Sequence, residues 1–107
     1  MKEAVVDNVL IQMGQNSSEN SALVKTSNPK YTWIHLNSFP SPHVVVHSEN
    51  PSHNVLVAAS SMCVNGSKYK NMRDVYFSRC KIENLLCTEK LGEVVFKSNK
   101  KVSRYKI

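Results

Sequence analysis

Residues 32–47, TWIHLNSFPSPHVVVH, constrain the fold more than any other stretch of this chain. Residues 31–36 alternate in side-chain character, and Val44-Val45-Val46 is β-branched. Both patterns favour extended backbone, because a branched Cβ is stiff at χ1 and packs well on a pleated surface. The Asn, Ser and Pro of residues 37–42 interrupt them, so the stretch reads as two strands joined by a loop. Side chains alternate across a strand. Tyr31, Trp33 and His35 therefore share one face, and Thr32, Ile34 and Leu36 the other.

The flanking residues extend this into a mixed pattern. Residues 9–14 read as a strand that stops at Gly14. Residues 15–21 are rich in helix starters, and Ser17 or Ser18 is the predicted cap of a short helix running through Lys25. A second helix is predicted with Asn50 as its cap, Pro51 in its first turn and Asn65-Gly66 as its stop. Val55, Leu56, Ala59, Met62 and Cys63 recur on one face of it. Strands are predicted over 74–78, 92–97 and 101–106, the last two forming a hairpin, with a short strand near Lys81-Ile82. Residues 1–8 read as a lead-in segment. The expected fold is α+β, a mostly antiparallel sheet with two helices, as a single domain over residues 9–107. A chain of 107 residues, 41% hydrophobic, can bury one modest core.

Several function classes lack support. No apolar run is long enough to span a bilayer, and the N-terminus lacks a secretory pattern. The expectation is a soluble, cytoplasmic protein without a membrane partner. Cys63, Cys80 and Cys87 are odd in number and contain no CxxC knuckle, so free thiols are expected rather than a disulfide or zinc site. His43 and His47 are four apart, but the valines between them place both on a strand, about 13 Å from each other. No metal and no cofactor are expected. No GxSxG, HExxH, P-loop or paired acidic signature is present, and an enzyme is not expected.

Charge points elsewhere. The net charge is +6, and it is unevenly placed. Residues 1–53 hold three lysines against four carboxylates, whereas residues 54–107 hold eleven lysines and arginines against four. A basic half beside a neutral half suits a polyanion. Lys68, Lys70 and Arg73 lie between the second helix and the next strand, Arg79 and Lys81 at that strand's end, and Lys97, Lys100 and Lys101 at the predicted hairpin turn. Such groups hold phosphates and contribute affinity without sequence specificity. A solubilising surface would carry the same residues. The Tyr31–Trp33–His35 face could stack unpaired bases, or Trp33 could be core. His35 and His43 are candidates for the recognition surface, and His47 reads as incidental.

The order of these motifs resembles the NFACT-R domain, found in ribosome quality-control factors, in their bacterial homologues once called fibronectin-binding proteins, and in short coiled-coil proteins. The resemblance runs through IQMGQNSSENSALV, YTWIHLNSFPSPHVVV, RDVYFSRCKIENL and KLGEVVFKSNKKV. Gly14 and Asn16 match the family's first turn, and Trp33 and His35 its Trp-aromatic-His strand, with Ile34 in place of Phe. Ser41 and His43 fall near its Ser-His pair with Pro42 between them, and Thr32 stands where the family has an acid. The resemblance implies a stand-alone, non-enzymatic RNA-binding module for ribosomal RNA or tRNA, acting on the large ribosomal subunit or within a larger complex. Asn16, Trp33, His35, Ser41 and His43 would join the basic residues in contacting RNA. Two alternatives stand beside it: a protein-interaction adaptor, and an RNA-directed enzyme using His35 or His43 as general acid or base.

Overall fold

The strands 32–36 and 44–46 form the centre of a six-stranded antiparallel sheet in the computed structural model, which describes residues 1–107. The elements run β1 (Lys2–Val6), β2 (Val9–Met13), α1 (Ser17–Thr26), β3 (Thr32–Leu36), β4 (Val44–Val46), α2 (His53–Asn65) and β5 (Tyr76–Lys81), then β6 (Leu85–Cys87), β7 (Val94–Phe96) and β8 (Ser103–Lys106). The main sheet has the order β1-β2-β4-β3-β5-β8, and β6 and β7 form a separate two-stranded hairpin. The fold is α+β with two helices, as the sequence pattern implies.

Both faces of the sheet are covered, so β4 is buried at all three valines. This is why it reads as a continuous β-branched run rather than an alternating one. On one side α2 packs Val55, Ala59 and Cys63 onto Ile11, Ile34, Leu36, Val44, Val46 and Phe77. On the other, α1 and the β6–β7 hairpin bring Leu23, Val24 and Leu85 onto Trp33, Val45 and Cys80. The alternation along β3 thus serves two cores at once.

Five readings are corrected. Residues 1–8 are not a lead-in: Lys2–Val6 pairs with β2 through a two-residue turn, Asp7-Asn8, at φ 50° and 64°. Both residues tolerate the left-handed region, which a tight hairpin turn of this kind requires. The cap of α1 is Asn16, not Ser17 or Ser18, and that of α2 is Ser52, not Asn50, so Pro51 precedes the helix. The last two strands form no hairpin, because β7 pairs with β6 and β8 with β5. Lys100 and Lys101 instead sit in a 3-10 turn, Asn99–Lys101, crossing between the two sheets. Finally, the strand predicted over 74–78 is shifted, and runs Tyr76–Lys81. No helix is long and apolar enough to cross a membrane.

Candidate nucleic-acid interface

Helix α1 is launched beside the sheet by a reciprocal cap. The Asn16 Oδ1 accepts from Glu19 N at 2.9 Å, while the Glu19 carboxylate accepts from Gln15 N at 2.9 Å. The pattern N-x-x-E satisfies the Glu19 amide of the first helical turn and the Gln15 amide just before the cap. The turn before it is then clamped to the β4 entry. Gly14 N donates to His43 O at 3.0 Å, and His43 N donates to the Asn20 Oδ1 at 3.1 Å. A side chain at Gly14 would collide with the Asn20 carboxamide, so glycine here is a packing requirement.

Two more walls rise from the sheet. The loop over residues 88–93 lies against α1, with Gly92 N donating to Ser21 Oγ at 2.7 Å. Gly92 has φ +82°, and an added Cβ would lie 2.9 Å from Ser17 Cβ, so both backbone and space select glycine. Opposite, the loop over 37–42 is pinned by Ser41, whose Oγ accepts from Leu36 N at 3.1 Å and donates to Pro42 O at 3.0 Å. Asn37 Oδ1 accepts from Ser78 Oγ at 2.9 Å and from Arg104 Nε at 3.1 Å. Phe39 meets Tyr69 at 4.8 Å between ring centroids, tying this loop to the segment after α2.

Between these walls lies a cleft of about 520 Å³, floored by Trp33, His35, His43 and Ser78. A second cleft of about 500 Å³ shares Ser17, Asn20, Pro40 and Ser41 with it and ends at Lys68 and Tyr69. The two read as one groove. Its floor is an aromatic cluster. His35 stacks on Trp33 at 5.4 Å, and Phe96 meets the indole edge-on at 5.7 Å. The Trp33 Nε1–H donates to His43 Nδ1 at 3.2 Å.

Burial favours the neutral form of the two groove histidines, His35 and His43. Burial pushes the His43 imidazole down to about 3, and the neighbouring His35 adds to the effect. Burial lowers His35 as well, against the opposing pull of the Leu36 and Ser41 carbonyls. A desolvated imidazole loses its charged form first. The pair therefore presents hydrogen-bonding edges and no charge near neutral pH.

The residues expected at an RNA contact are only partly gathered here. Trp33, His35, Ser41 and His43 line the first cleft, and Asn16, Ser41 and Lys68 the second. Trp33 is only 2% exposed. Its indole is core, one of the two alternatives the sequence left open, and offers no face to a base. Tyr31 is taken up by His47, at 4.4 Å between rings. Ser41 holds its own loop and makes no bond to His43. Lys70 and Arg73 are exposed in the segment after α2, and Lys97, Lys100 and Lys101 are exposed around the 3-10 turn. Arg79 and Lys81 stand opposite Ile34 and Thr32 in register, hence on the α2 side of the sheet. Lys81 is already paired with Glu49 at 2.7 Å. The basic groups thus spread over several surfaces.

Groove residues that sequence reasoning missed include Asn20, Asn37, Ser78, Lys90 and Glu93. Asn20 carried one usable signal, its place one helical turn after Asn16. Ser78 carried none, since only the register that sets it opposite His35 brings it to the floor.

A sequence profile described as the NFACT protein RNA binding domain matches residues 3–98. This chain belongs to that family. The NFACT RNA-binding domain match takes in β1 to β7 and the groove floor, while β8 with Arg104 lies beyond it. The fold agrees with a solved structure, the C-terminal part of the fibronectin/fibrinogen-binding protein from Streptococcus suis, at a TM-score of 0.87 and 21% identity. That likeness covers 98% of this NFACT-R chain and 43% of the other, so the present chain spans less than half of its length. No curated protein sequence is matched significantly.

Proposed function

We propose that this domain binds ribosomal RNA or tRNA without turning it over, in a translation or ribosome quality-control setting, as one part of a larger assembly. The family supplies the RNA. The observation that carries the location is the groove itself: a floor of neutral polar edges with cations at its ends. Lys68 marks one end; Lys90, with Arg104 bonded to the lining residue Asn37, marks the other. Cations that hold phosphates outside a neutral, partly aromatic trough suit a single strand, whose bases are free to turn inward.

Binding without chemistry is the reading the site groups favour. His43 is held as an acceptor for Trp33, and burial pushes the Cys63 and Cys80 thiols up to about 11, away from the thiolate a nucleophile needs. The test is anisotropy titration of labelled tRNA and of a ribosomal RNA stem-loop between 50 and 200 mM salt. Affinity is expected to fall with a log–log slope of about −0.7 for each phosphate contact to single strands. An affinity indifferent to salt would remove the phosphate contacts and with them this reading. RNA recovered shortened or altered would transfer the site to the enzyme class.

A further inference from the structure

The polar groups in the first cleft are not interchangeable, because their partners dictate which atom points outward. His43 Nδ1 accepts the Trp33 indole N–H, so the proton sits on Nε2. Asn20 Oδ1 accepts the His43 amide, so its Nδ2 is the remaining edge. Asn37 Oδ1 accepts from both Ser78 and Arg104, so again Nδ2 is left. None of these three N–H groups has a partner in the protein, and none is sealed from solvent. His43 itself is only 3% exposed, which makes its open Nε2–H a built feature of the floor. The cleft therefore presents three fixed donors, beside one acceptor: His35, whose Nδ1 donates to Leu36 O, leaves its Nε2 bare.

Three fixed donors call for an acceptor-rich occupant. Phosphate is one, but Glu93 also lines the cleft. One of its oxygens is held by Thr88 at 2.9 Å, and the other has no partner in the protein. A carboxylate beside the donors repels an oxyanion, yet accepts from a ring N–H or an exocyclic amine. Guanine offers both halves of this pattern, with O6 and N7 as adjacent acceptors on one edge and N1–H and N2–H₂ as donors on the next. Adenine sets its N6 amine beside N7, and cytosine, although its N3 and O2 are adjacent acceptors, offers one amine, N4, where guanine offers two donor groups. Uracil has an acceptor at O4 but no adjacent N7. The cleft volume of about 520 Å³ falls in the range of about 300–1,000 Å³ that small-ligand sites occupy, and its walls of Phe96, Phe39 and Leu91 are apolar.

We propose that the cleft above Trp33 receives one unpaired guanine of a bound RNA, with O6 and N7 facing the His43, Asn20 and Asn37 N–H groups. This rests on the RNA-binding reading and sharpens it, because it adds base selection to a contact otherwise governed by phosphates.

The experiment uses short oligouridines carrying one central G, A, C or U, titrated at a single salt concentration. The G oligomer is expected to bind on the order of tenfold tighter than the A oligomer, the scale of one good bidentate base contact. Replacing the guanine by 7-deazaguanine, which lacks the N7 acceptor, should abolish most of that preference. On the protein side Asn37→Asp keeps the oxygen that Ser78 and Arg104 need but turns the outward donor into an acceptor. The added charge weakens all four oligomers alike, so the readout is the G-to-A ratio, which should fall toward one. Equal affinities for the four oligomers, a preference for another base, or competition by inorganic phosphate would overturn the guanine assignment while leaving RNA binding in place. Absence of binding to any oligomer and to tRNA would overturn both.

Discussion

Ile34 and Trp33 are neighbours on one strand, and they face two differently finished sides of the sheet. The α2 side is closed: a 13-residue helix contributes Val55, Ala59 and Cys63 to a core of eleven buried residues. The Trp33 side is covered by a 10-residue helix and a hairpin of three-residue strands, which together seal seven. Where those short covers stop, the groove begins. The same alternation of side chains thus yields a packed core on one face and a polar trough on the other. The groove is what remains when one cover is too small, and it is kept open by loops pinned at Gly14, Gly92 and Ser41.

If the two faces divide the work, the largest tests are paired substitutions across β3. Ile34→Ala should cost about 2–5 kcal/mol and Trp33→Ala about 3–5 kcal/mol, read by urea denaturation. Only Trp33→Ala should also weaken RNA binding of the folded protein, because it frees the His43 Nδ1. Equal effects on binding would break the comparison.

Between pH 7 and pH 5 acid should act chiefly on the Trp33 face, because on the α2 side the Lys81 ammonium holds the Glu49 carboxyl below the usual carboxylate range. The folded-state pKa of His43 is depressed to about 3, so its stabilising contribution is complete above the unfolded value near 6.5 and is lost as pH falls from there toward 3. For each extra proton bound by the unfolded chain, stability drops by about 1.4 kcal/mol per pH unit. The lowering of His35 adds in the same direction. On the α2 side the Cys63 thiol and Tyr105 hydroxyl are pushed up to about 11 and about 12, outside this window. Unfolding monitored by Trp33 fluorescence from pH 7 to pH 5 should show the slope, and His43→Gln should flatten it. RNA affinity should hold steady between pH 7 and pH 8.

A smaller effect is expected at the pinned loop. Gly92→Ala places a side chain at φ +82° and against Ser17, at about 1–3 kcal/mol, and should weaken RNA binding by shifting the wall over residues 88–93. The smallest effects sharpen the comparison from the surface. Lys68→Ala and Lys90→Ala should each change stability by no more than about 0.5 kcal/mol, yet each should reduce the salt slope by about one contact. Arg79→Ala, on the α2 side, should leave the slope alone.

Much of the fold was legible because its signals are local. The β-branched run of Val44–Val46, the alternation along Thr32–Leu36 and the apolar spacing from Val55 to Cys63 each report an element within a few residues of itself. β1 escaped because it is an edge strand with four of its five residues outside the core, three of them fully exposed, and it lacks the alternation that marks a half-buried strand. The last hairpin was misread for a different reason. Two strands close in sequence favour pairing, but β8 has a partner in β5, where Tyr105 meets Phe77 across the register.

The site divides along the same line. The sequence by itself determined the two faces of β3, the helix over the α2 core, the glycine before α1 and the family pattern around Trp33 and His35, because period, capping and turn chemistry are written in adjacent residues. Only the tertiary structure decided that Trp33 is core, that His43 is a neutral donor, and that Asn20, Asn37, Ser78 and Arg104 meet around one cleft. Those outcomes depend on register and on contacts between residues tens of positions apart, such as Arg104 with Asn37. A side chain's protonation and outward edge follow from its neighbours in space, and no local pattern carries them.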